Sequence, residues 1–334
     1  MNILVSGGAG FIGSHLCERL LALGHDLSVV DNFNDFYDPA IKRHNYDEVA
    51  ETARRLGRNL HLCEGDVRDI PFLEEVFREA APEAVIHLAA MAGVRPSIER
   101  PRLYAEVNLH GTLNLLEASR TSGVRRFLFA SSSSVYGNNQ KIPFAESDPV
   151  DNPISPYAAT KKGGELLCHT WHHLYGISIA CLRFFTVYGP RQRPDLAIHK
   201  FARMLISGQT LPIYGDGTTS RDYTYIDDIV DGVIRALEWT AGGDPRFEIF
   251  NLGESQPVEL QRLVAVLEQA MGISAKRELA PMQAGDVERT FADLTKSAAK
   301  LGYRPTTEIE VGVARFVVWF REQAGISPGE ADGS

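Results

Sequence analysis

Short apolar runs alternate with longer amphipathic stretches throughout the first half of the chain. The runs with the length and aliphatic character of buried parallel strands are residues 3–5, 27–30, 60–63, 84–88, 127–130 and 179–182. The stretches with helical spacing cover about 12–24, 71–81, 103–121 and 157–175. Gly24 and Gly123 stand where the first and third of these helices should end. Because strands alternate with helices, we expect an α/β fold with a doubly wound parallel sheet.

The pattern changes after Arg183. Residues 189–222 are rich in Gly, Pro and Arg, which predicts a long loop around one helix at 195–207. Further patterns predict a helix at 224–239, a strand at 247–252 that can rejoin the sheet, and helices at 258–272 and 308–323. We therefore expect one domain of residues 1–185 plus about 223–252, a smaller mixed α/β domain of 186–222 and 253–325, and a flexible tail at 326–334.

Composition narrows the setting in which the protein works. A formal net charge of −9 argues against nucleic acid or an anionic membrane as a partner. No apolar run approaches the ~18 residues that span a bilayer, and no basic segment precedes the first apolar run, so we expect no signal peptide. The four cysteines show no CxxC spacing, which favours buried free thiols in the cytoplasm.

A glycine-rich turn follows the first predicted strand and opens the first predicted helix. Its sequence, GGAGFIG at residues 7–13, places Gly7, Gly10 and Gly13 where a dinucleotide-binding turn needs a sharp bend, close pyrophosphate approach and close helix packing. Phe11 and Ile12 belong to the same turn. Asp31 ends the second strand, where a carboxylate accepts hydrogen bonds from an adenosine ribose and repels a 2′-phosphate. These residues predict NAD rather than NADP; a structural turn with a loop aspartate is the alternative.

Tyr157 and Lys161 are four residues apart and therefore share one face of a predicted helix. The phenol is a poor base at its ordinary pKa. A neighbouring ammonium and a nicotinamide cation would lower that pKa, and the lysine can also hold the nicotinamide ribose. Ser132, at the end of the fifth strand, can share the hydrogen bond to the same substrate oxygen. A surface pair is the alternative for an isolated YxxxK, but the turn and Asp31 argue against it here.

The motifs together resemble an extended short-chain dehydrogenase/reductase of the nucleotide-sugar epimerase/dehydratase group, over about residues 1–325. The resemblance rests on GGAGFIG, GDVRD at 65–69, HLAA at 87–90, SSSSVYG at 131–137, SPYAATK at 155–161 and GDGTTSRDYTYIDD at 215–228. It implies that the first domain binds NAD and the second a nucleotide sugar. The cofactor residues that it adds are Asn32, Asn34, Lys42, Asp66, Val67, Leu88, Ala89, Ala90 and Asn108. Asp66 and Val67 suit an adenine edge, and a helix N-cap is the alternative for Asp66.

Within this group the strand-five motif separates the reactions. Dehydratases and uronate decarboxylases resemble one another in carrying Glu before Val-Tyr-Gly, whereas this chain has Ser132, Ser133 and Ser134. The absence of that acid argues against dehydration and leaves 4-epimerisation through a 4-keto intermediate. The NFNDFYDP segment at 32–39 and the RFFTVYGP segment at 183–190 resemble UDP-glucuronate 4-epimerases; UDP-glucose 4-epimerases usually have Asn at the position of Thr186. Leu196 and Gly164 are small departures from that pattern.

The resemblance also implies which residues hold the UDP-sugar. These are Gly93, Val94, Arg95, Ser132, Ser133, Ser134, Tyr157, Thr186, Arg193, Leu196, Ala197, Arg221, Asp286 and Arg289. Arg221 and Arg289 would clamp the diphosphate, while Arg95 and Arg193 lie near the sugar carboxylate. We expect Ser133, Ser134, Thr186 and Arg193 to keep that carboxylate from leaving as CO₂. Exposed loop arginines without a ligand are the alternative.

Other classes remain open beside UDP-glucuronate 4-epimerisation. An epimerase for UDP-glucose or a UDP-N-acetylhexosamine is the nearest alternative, and a non-catalytic nucleotide-sugar binder is a distant one. Relatives commonly dimerise through helices like 103–121 and 157–175, so we expect a homodimer. His169 and His173 have a zinc-like spacing, but HTWHH lacks a third ligand and the usual Glu, so we expect no metal.

Overall fold

The computed structural model describes residues 1–281 and 289–325 of the chain. Its strands are β1 Asn2–Ser6, β2 Asp26–Asp31, β3 Leu60–Glu64, β4 Ala84–His87, β5 Arg126–Ser132, β6 Ser178–Phe184, β7 Thr186–Tyr188, β8 Leu211–Tyr214, β9 Ser220–Tyr225, β10 Phe247–Leu252, β11 Pro257–Glu259 and β12 Arg277–Ala280. Its α-helices are α1 Phe11–Ala22, α2 Pro39–Leu56, α3 Ile70–Ala80, α4 Val94–Glu99, α5 Pro101–Ala105, α6 Gly111–Thr121, α7 Pro156–Tyr175, α8 Ala197–Ile206, α9 Ile226–Trp239, α10 Leu260–Met271, α11 Thr295–Leu301 and α12 Ile309–Ala324.

The main sheet has the order β10-β6-β5-β4-β1-β2-β3, and every pair in it is parallel. The six predicted runs are all strands of this sheet, so the doubly wound α/β prediction is confirmed. The predicted strand at 247–252 rejoins the sheet beside β6. Because all these strands run the same way, their carboxyl ends meet along one edge, where a doubly wound fold binds its ligand.

All eight predicted helical stretches are present, with ends within two residues of their expected bounds. The stretch expected at 103–121 is helical from Pro101 to Thr121, with a π-helical segment at Glu106–His110 between α5 and α6. Gly24 and Gly123 follow the expected helices with φ of 86° and 74°, the left-handed conformation that ends a helix.

Helix α2 was not predicted, and its composition explains why. Only four of its residues are buried, namely Lys42, Asn45, Val49 and Ala53, and two of these are polar. The apolar repeat that indicates an amphipathic helix is therefore too weak to be recognised in the sequence. Local signals nevertheless define its ends: Asp38 caps the first turn by accepting from the Ala40 amide at 2.9 Å, and Gly57 follows the last turn with φ of 63°.

The expectation of one long loop around a single helix at 189–222 is wrong in part. This segment contains strand β8 and the start of β9 as well as helix α8. Strands β11, β9 and β7 form a small sheet, and β12 pairs with β8. These strands are three to six residues long and pair with distant segments, so local pattern alone does not reveal them.

One hydrophobic core runs from the first strand of the main sheet to the last helix. It joins Val5 and Ile86 of the main sheet to Ile213 of β8, Leu267 of α10 and Phe316 of α12. The small sheets and the C-terminal helices are thereby packed against the main sheet. None of the helices in residues 1–281 and 289–325 combines the length and hydrophobicity needed to cross a membrane.

Candidate active site

A cavity of about 480 Å³ opens at the carboxyl edge of the main sheet and extends to the small sheet that contains β7 and β9. The predicted cofactor residues that line it are Gly7, Gly10, Phe11, Ile12, Gly13, Asp31, Asn32, Asn34, Lys42, Asp66, Val67, Leu88, Ala89, Ala90, Tyr157 and Lys161. The predicted substrate residues that line it are Gly93, Val94, Ser132, Ser133, Ser134, Tyr157, Thr186, Arg193, Leu196 and Arg221. Residues from distant parts of the sequence therefore share one cavity of a size suited to a ligand.

The glycine-rich turn at 7–13 can be formed only with glycine at two of its positions. Gly7 has φ of 75°, and a Cβ atom there would lie 2.7 Å from the Ala89 amide nitrogen. A Cβ atom on Gly13 would lie 2.1 Å from the Gly7 carbonyl oxygen. The turn thus brings β1 and α1 into close contact and places the start of α1 at the cavity wall, where a helix N-terminus can receive a pyrophosphate.

Asp31 lies at the end of β2 and fastens the glycine-rich turn. Its carboxylate accepts hydrogen bonds from the Ala9 amide at 3.1 Å and the Phe33 amide at 3.0 Å. Burial raises the pKa of this carboxyl group, and these hydrogen bonds partly oppose the shift. The carboxylate predicted to bind a ribose therefore also supports the backbone that would bind the pyrophosphate.

The segment after β2 is held by its own polar side chains. The Lys42 ammonium donates to the carbonyl and the side-chain oxygen of Asn34, at 2.8 and 2.9 Å, and lies 4.7 Å from the centre of the Tyr37 ring. Burial lowers the pKa of Lys42, although the charge of Asp31 opposes that shift. These contacts place Asn34 and Lys42 beside the predicted ribose.

Asp66 does not cap a helix. The N-cap of α3 is Asp69, whose side chain accepts from the Phe72 amide at 3.1 Å. Asp66 instead accepts from the Asn32 side chain at 2.9 Å and from Arg68. The helix-cap alternative for Asp66 is therefore wrong, which leaves its carboxylate at the cavity wall.

Ser132, Tyr157 and Lys161 meet at the middle of the cavity. The Lys161 ammonium donates to the Ala130 carbonyl of β5 at 2.7 Å and lies 6.0 Å from the centre of the Tyr157 ring. Burial lowers the pKa of Lys161 to about 7. Burial also raises the pKa of the Tyr157 phenol, while a hydrogen bond with Ser132 and the charge of Arg193 oppose the rise.

The expectation of a lowered Tyr157 pKa includes the charge of a nicotinamide cation, and it stays a prediction. The sequence does not show the burial of the phenol, which by itself raises the pKa against the charge of Arg193. The lysine lies on the same helical face, as predicted.

A buried ion pair behind this trio was missed by the sequence reasoning. Glu165, one turn after Lys161 on α7, accepts from Ser131 of β5 at 2.7 Å and from Arg183 of β6 at 2.8 Å. Both charged side chains are only 1% exposed. The pair ties α7 to two strands and so fixes the helix that carries Tyr157 against the strand that carries Ser132. Two features of the sequence could have indicated this pair. Ser131 directly precedes Ser132, and Glu165 follows Lys161 by four residues, which places both on one face of the helix.

The serine run forms a tight turn at the end of β5. The Ser132 hydroxyl oxygen accepts from the Ser134 amide at 3.2 Å. The Ser134 hydroxyl is buried and has no hydrogen-bond partner among the described residues. Because Ser134 lines the cavity, a polar ligand group can supply that partner.

Arg193 and Thr186 both line the cavity. The Arg193 guanidinium binds Asp195 through two hydrogen bonds, Nε–Oδ1 at 3.0 Å and Nη2–Oδ2 at 2.7 Å. It also lies 5.1 Å from the centre of the Phe36 ring, and its side chain is 16% exposed. The predicted sugar-end cation is therefore largely buried and positioned by an ion pair.

Strand β9 brings Arg221 to the cavity, and a buried carboxylate fastens this strand to its neighbours. Asp222 accepts from the amides of Glu254, Ser255 and Ala292 at 2.7, 3.0 and 3.0 Å. The residue after Arg289 is fastened too, since the Thr290 amide donates to the Ser220 carbonyl at 3.2 Å.

Four predicted binding residues do not line the cavity. Asn108 is buried one layer behind it, where its side chain bonds Met91 and Thr160. Arg95 is exposed, with its guanidinium 5.8 Å from the centre of the Tyr214 ring, Arg289 is exposed, and Ala197 follows the lining residue Leu196. Their roles stay predictions. Asp286 lies outside the described residues.

Several lining residues were not predicted. They are Phe36, Tyr37, Gly65, Ala92, Val107, Ala130, Ser131, Gly137, Phe144, Ile154, Ser155, Phe184, Phe185, Val187 and Thr290. Tyr37 lies in the motif between Asn34 and Lys42, and Thr290 is next to Arg289, so sequence proximity could have identified both. The phenylalanines come from interior strands and loops, where an apolar wall of a site looks like ordinary core.

Two of the histidines at 169–173 pack against one phenylalanine. His169 makes an edge contact with Phe247, with the ring centres 5.0 Å apart, and His172 also lies against that ring. Within residues 1–281 and 289–325 no group of three or more His, Cys, Asp or Glu side chains is arranged to hold a metal ion.

The fold, the glycine-rich turn and the Ser132–Tyr157–Lys161 trio define a nucleotide-dependent enzyme of the short-chain dehydrogenase/reductase type. The sequence matches the NAD dependent epimerase/dehydratase family over residues 3–253, and the chain belongs to that family. The family prediction made from the motifs is thereby confirmed, and with it the prediction of NAD as cofactor.

The chain is also similar to individual members of this family. UDP-glucuronate 4-epimerase 4 of Arabidopsis thaliana is 42% identical to this chain, over 96% of the chain and 75% of the plant protein. The structure of UDP-glucuronic acid 4-epimerase from Bacillus cereus, in complex with UDP-glucuronic acid and NAD, has 34% identity and a TM-score of 0.88 over 97% of this chain and 100% of that one. The UDP-glucose 4-epimerase of Thermotoga maritima, with UDP-glucose, also has 34% identity, with a TM-score of 0.86 over 97% and 100%.

Proposed function

We propose that the protein is an NAD-dependent UDP-glucuronate 4-epimerase, which interconverts UDP-glucuronate and UDP-galacturonate. The observation that carries this proposal is the single cavity that joins the glycine-rich turn, the Ser132–Tyr157–Lys161 trio and Arg193. The names of the Arabidopsis and Bacillus relatives support it. The serines at 132–134 offer no carboxylic acid for dehydration.

The residues present fit NAD. The amides at the start of α1 and the bend at Gly7 receive the pyrophosphate, and Asp31 accepts from the adenosine ribose. Lys161, the cation of the trio, lines the cavity and would hold the nicotinamide ribose. When bound, NAD supplies a reversible hydride acceptor beside the sugar.

Tyr157 is the general base of this proposal. As phenolate it takes the proton of the C4 hydroxyl, and Ser132 donates a hydrogen bond to the same oxygen. A Lys161 ammonium favours that phenolate, against the burial that raises the phenol pKa. The C4 hydrogen would leave as a hydride that bound NAD accepts, which gives the 4-keto sugar. The sugar then turns about its diphosphate and presents its other face, so that return of the hydride inverts C4 while Tyr157 returns the proton to the C4 oxygen.

A 4-keto uronate is a β-keto acid and loses CO₂ when its carboxylate aligns with the carbonyl. Ser133, Ser134, Thr186 and Arg193 restrain the carboxylate in our proposal, since all four line the cavity. The unpartnered hydroxyl of Ser134 supports a polar group at this position. A charge-assisted hydrogen bond from Arg193 would add both affinity and direction.

Epimerisation of a neutral UDP-sugar is the second candidate. Arg193 is already neutralised by Asp195, so an uncharged sugar does not leave an unpaired cation in the cavity. The likeness to the Thermotoga protein favours the same alternative. Separate incubation with UDP-glucuronate and UDP-glucose, followed by identification of the product sugars, distinguishes the two.

The organisation of the chain is part of the proposal. Residues 1–185 with about 223–252 bind NAD, and residues 186–222 with 253–325 bind the UDP-sugar. The four cysteines are unpaired, which suits a reducing cytoplasm.

Leu166 and Leu174 of α7 are 58% and 59% exposed, and we expect them to lie in a homodimer interface. Sedimentation of Leu166→Glu against wild type tests this, and a wild-type monomer would contradict it.

A further inference from the structure

The ion pair between Arg193 and Asp195 uses one edge of the guanidinium. Asp195 accepts from Nε and Nη2, at 3.0 and 2.7 Å. A guanidinium has five N–H donors, so three remain for other partners. Arg193 lines the cavity whereas Asp195 does not, and the Asp195 side chain is 45% exposed. The carboxylate therefore holds the arginine from outside the cavity.

The loop that carries this pair is fastened at both ends. On one side, Arg191 adopts φ of 61° and binds Glu18 of α1 at 2.9 Å, and the His15 ring bonds the Pro190 carbonyl at 3.0 Å. On the other side, the Leu196 amide donates to the Arg193 carbonyl at 3.1 Å. Because helix α8 begins at Ala197, two residues after Asp195, its amide end favours a carboxylate nearby.

We propose that Asp195 determines specificity as a positioning residue: it holds the Nε edge of Arg193 so that the other donors face the carboxylate of a uronate. This proposal rests on the proposed function of the cavity. Both carboxylates are bound at once by different donors of the same guanidinium, so Asp195 does not have to leave when the sugar binds.

Positioning matters because an arginine side chain is flexible. A free side chain loses rotamer freedom when it orders on a ligand, and that loss reduces the affinity. Asp195 and the Phe36 ring order the guanidinium in advance. A neutral sugar makes no ion pair with Arg193, so its binding should depend little on this order. The effect of Asp195 should therefore appear with the uronate and be nearly absent with UDP-glucose.

The test is a double-mutant cycle read by binding. Asp195→Asn, Arg193→Ala and the double variant are made in a Tyr157→Phe background, with NAD present, so that bound sugars are not turned over. Calorimetry gives Kd for UDP-glucuronate and UDP-glucose. Glu310→Gln is the matched control, because Glu310 also pairs with an arginine and is 42% exposed, but lies outside the cavity. Asp195→Ala serves as a second variant, and thermal melting checks folding.

Asp195→Asn should raise Kd for UDP-glucuronate about tenfold, the scale of a weakened charge-assisted hydrogen bond. It should change Kd for UDP-glucose less than about twofold, and it should add nothing in the Arg193→Ala background, because coupled residues are non-additive. Equal losses for both sugars, a loss that persists without Arg193, or tighter uronate binding would each overturn the proposal.

Failure of the proposed function gives a different result. If wild-type enzyme epimerises UDP-glucose but not UDP-glucuronate, the substrate assignment is wrong, while the binding cycle still judges Asp195. If UDP-glucuronate does not bind at all, both proposals fall.

Discussion

The two ends of the cavity are built in different ways. At the cofactor end, most of the residues come from one stretch, 7–90, and the Asp31 carboxylate is bound to backbone within it, at the Ala9 and Phe33 amides. At the sugar end, Thr186, Arg193 and Arg221 come from β7, the loop before α8 and β9, and Arg193 is paired with Asp195.

This difference teaches how the reaction and its substrate are specified separately. The cofactor end is shaped before any ligand arrives, because its turn and its carboxylate support each other. At the sugar end it is a side chain that is held, since Arg193 contacts both Asp195 and the Phe36 ring. Substitutions in different parts of the cavity should therefore have different effects. A substitution in the trio should abolish turnover, whereas one at the sugar end should reduce the selectivity for one UDP-sugar over another.

The largest expected effect lies where the two ends meet. Tyr157→Phe should reduce turnover by about 10²–10⁴-fold, since it removes the general base and little volume. NAD binding and the melting temperature should stay near wild type. Kinetics beside NAD titration measures this, and Tyr175→Phe, at the exposed end of the same helix, is the control. Activity within about tenfold of wild type would remove Tyr157 from the base role.

The cofactor end should reject NADP. The Asp31 carboxylate would face a 2′-phosphate, and like charges in contact cost several kcal/mol, or roughly 10²-fold or more in affinity. Asp31→Asn should reduce the preference for NAD over NADP. It should also weaken NAD binding, because the carboxylate supports the glycine-rich turn. Cofactor titrations with both nucleotides measure the ratio, and Asp35→Asn in the exposed part of the next segment is the control. Equal activation of the wild type by NAD and NADP would refute this role of Asp31.

At the sugar end, Thr186→Val and Arg193→Ala should alter selectivity. Each should weaken UDP-glucuronate relative to UDP-glucose by roughly tenfold, as expected for one lost hydrogen bond to a charged group. Some 4-keto intermediate should also lose CO₂ and give a UDP-pentose, which mass analysis detects. Thr170→Val on the exposed face of α7 is the control for the threonine. Equal effects on both sugars without CO₂ release would place the carboxylate elsewhere.

The last expected effect is on stability and concerns Lys161, where the two ends meet. Burial lowers the pKa of Lys161 to about 7. At pH values between about 7 and the ordinary lysine pKa near 10, Lys161 carries a proton in the unfolded chain but has released it in the folded chain. The free energy of unfolding of wild type should then rise with pH relative to Lys161→Met, by about 1 kcal/mol per pH unit. Denaturant unfolding at pH 7 and 9, at equal NAD occupancy, measures it. Parallel pH dependences would show that Lys161 stays charged when folded.

The sequence predicted the cofactor end better than the sugar end for a physical reason. The strands of the main sheet are continuous apolar runs, and the turn at 7–13 needs glycine at positions that sterics dictate, so both leave local patterns. Helix α2 has no clear apolar repeat, because Lys42 and Asn45 occupy half of its buried positions.

The sugar end depends on pairing between distant segments. Strand β12 pairs with β8 about 65 residues earlier, and Asp222 joins segments that no local motif connects. Arg193 was predicted as a sugar-end cation, but its partner Asp195, two residues away, was not. The depth that raises the Tyr157 pKa likewise follows only from tertiary packing.

The most direct test of the account is to incubate the purified protein with catalytic NAD and either UDP-glucuronate or UDP-glucose, and to identify each product sugar. We predict that UDP-glucuronate yields UDP-galacturonate without accumulation of NADH or CO₂, and that UDP-glucose is converted much more slowly. Conversion of UDP-glucose alone would contradict the uronate assignment. Stoichiometric formation of NADH would contradict epimerisation, because the hydride would then not return to the sugar.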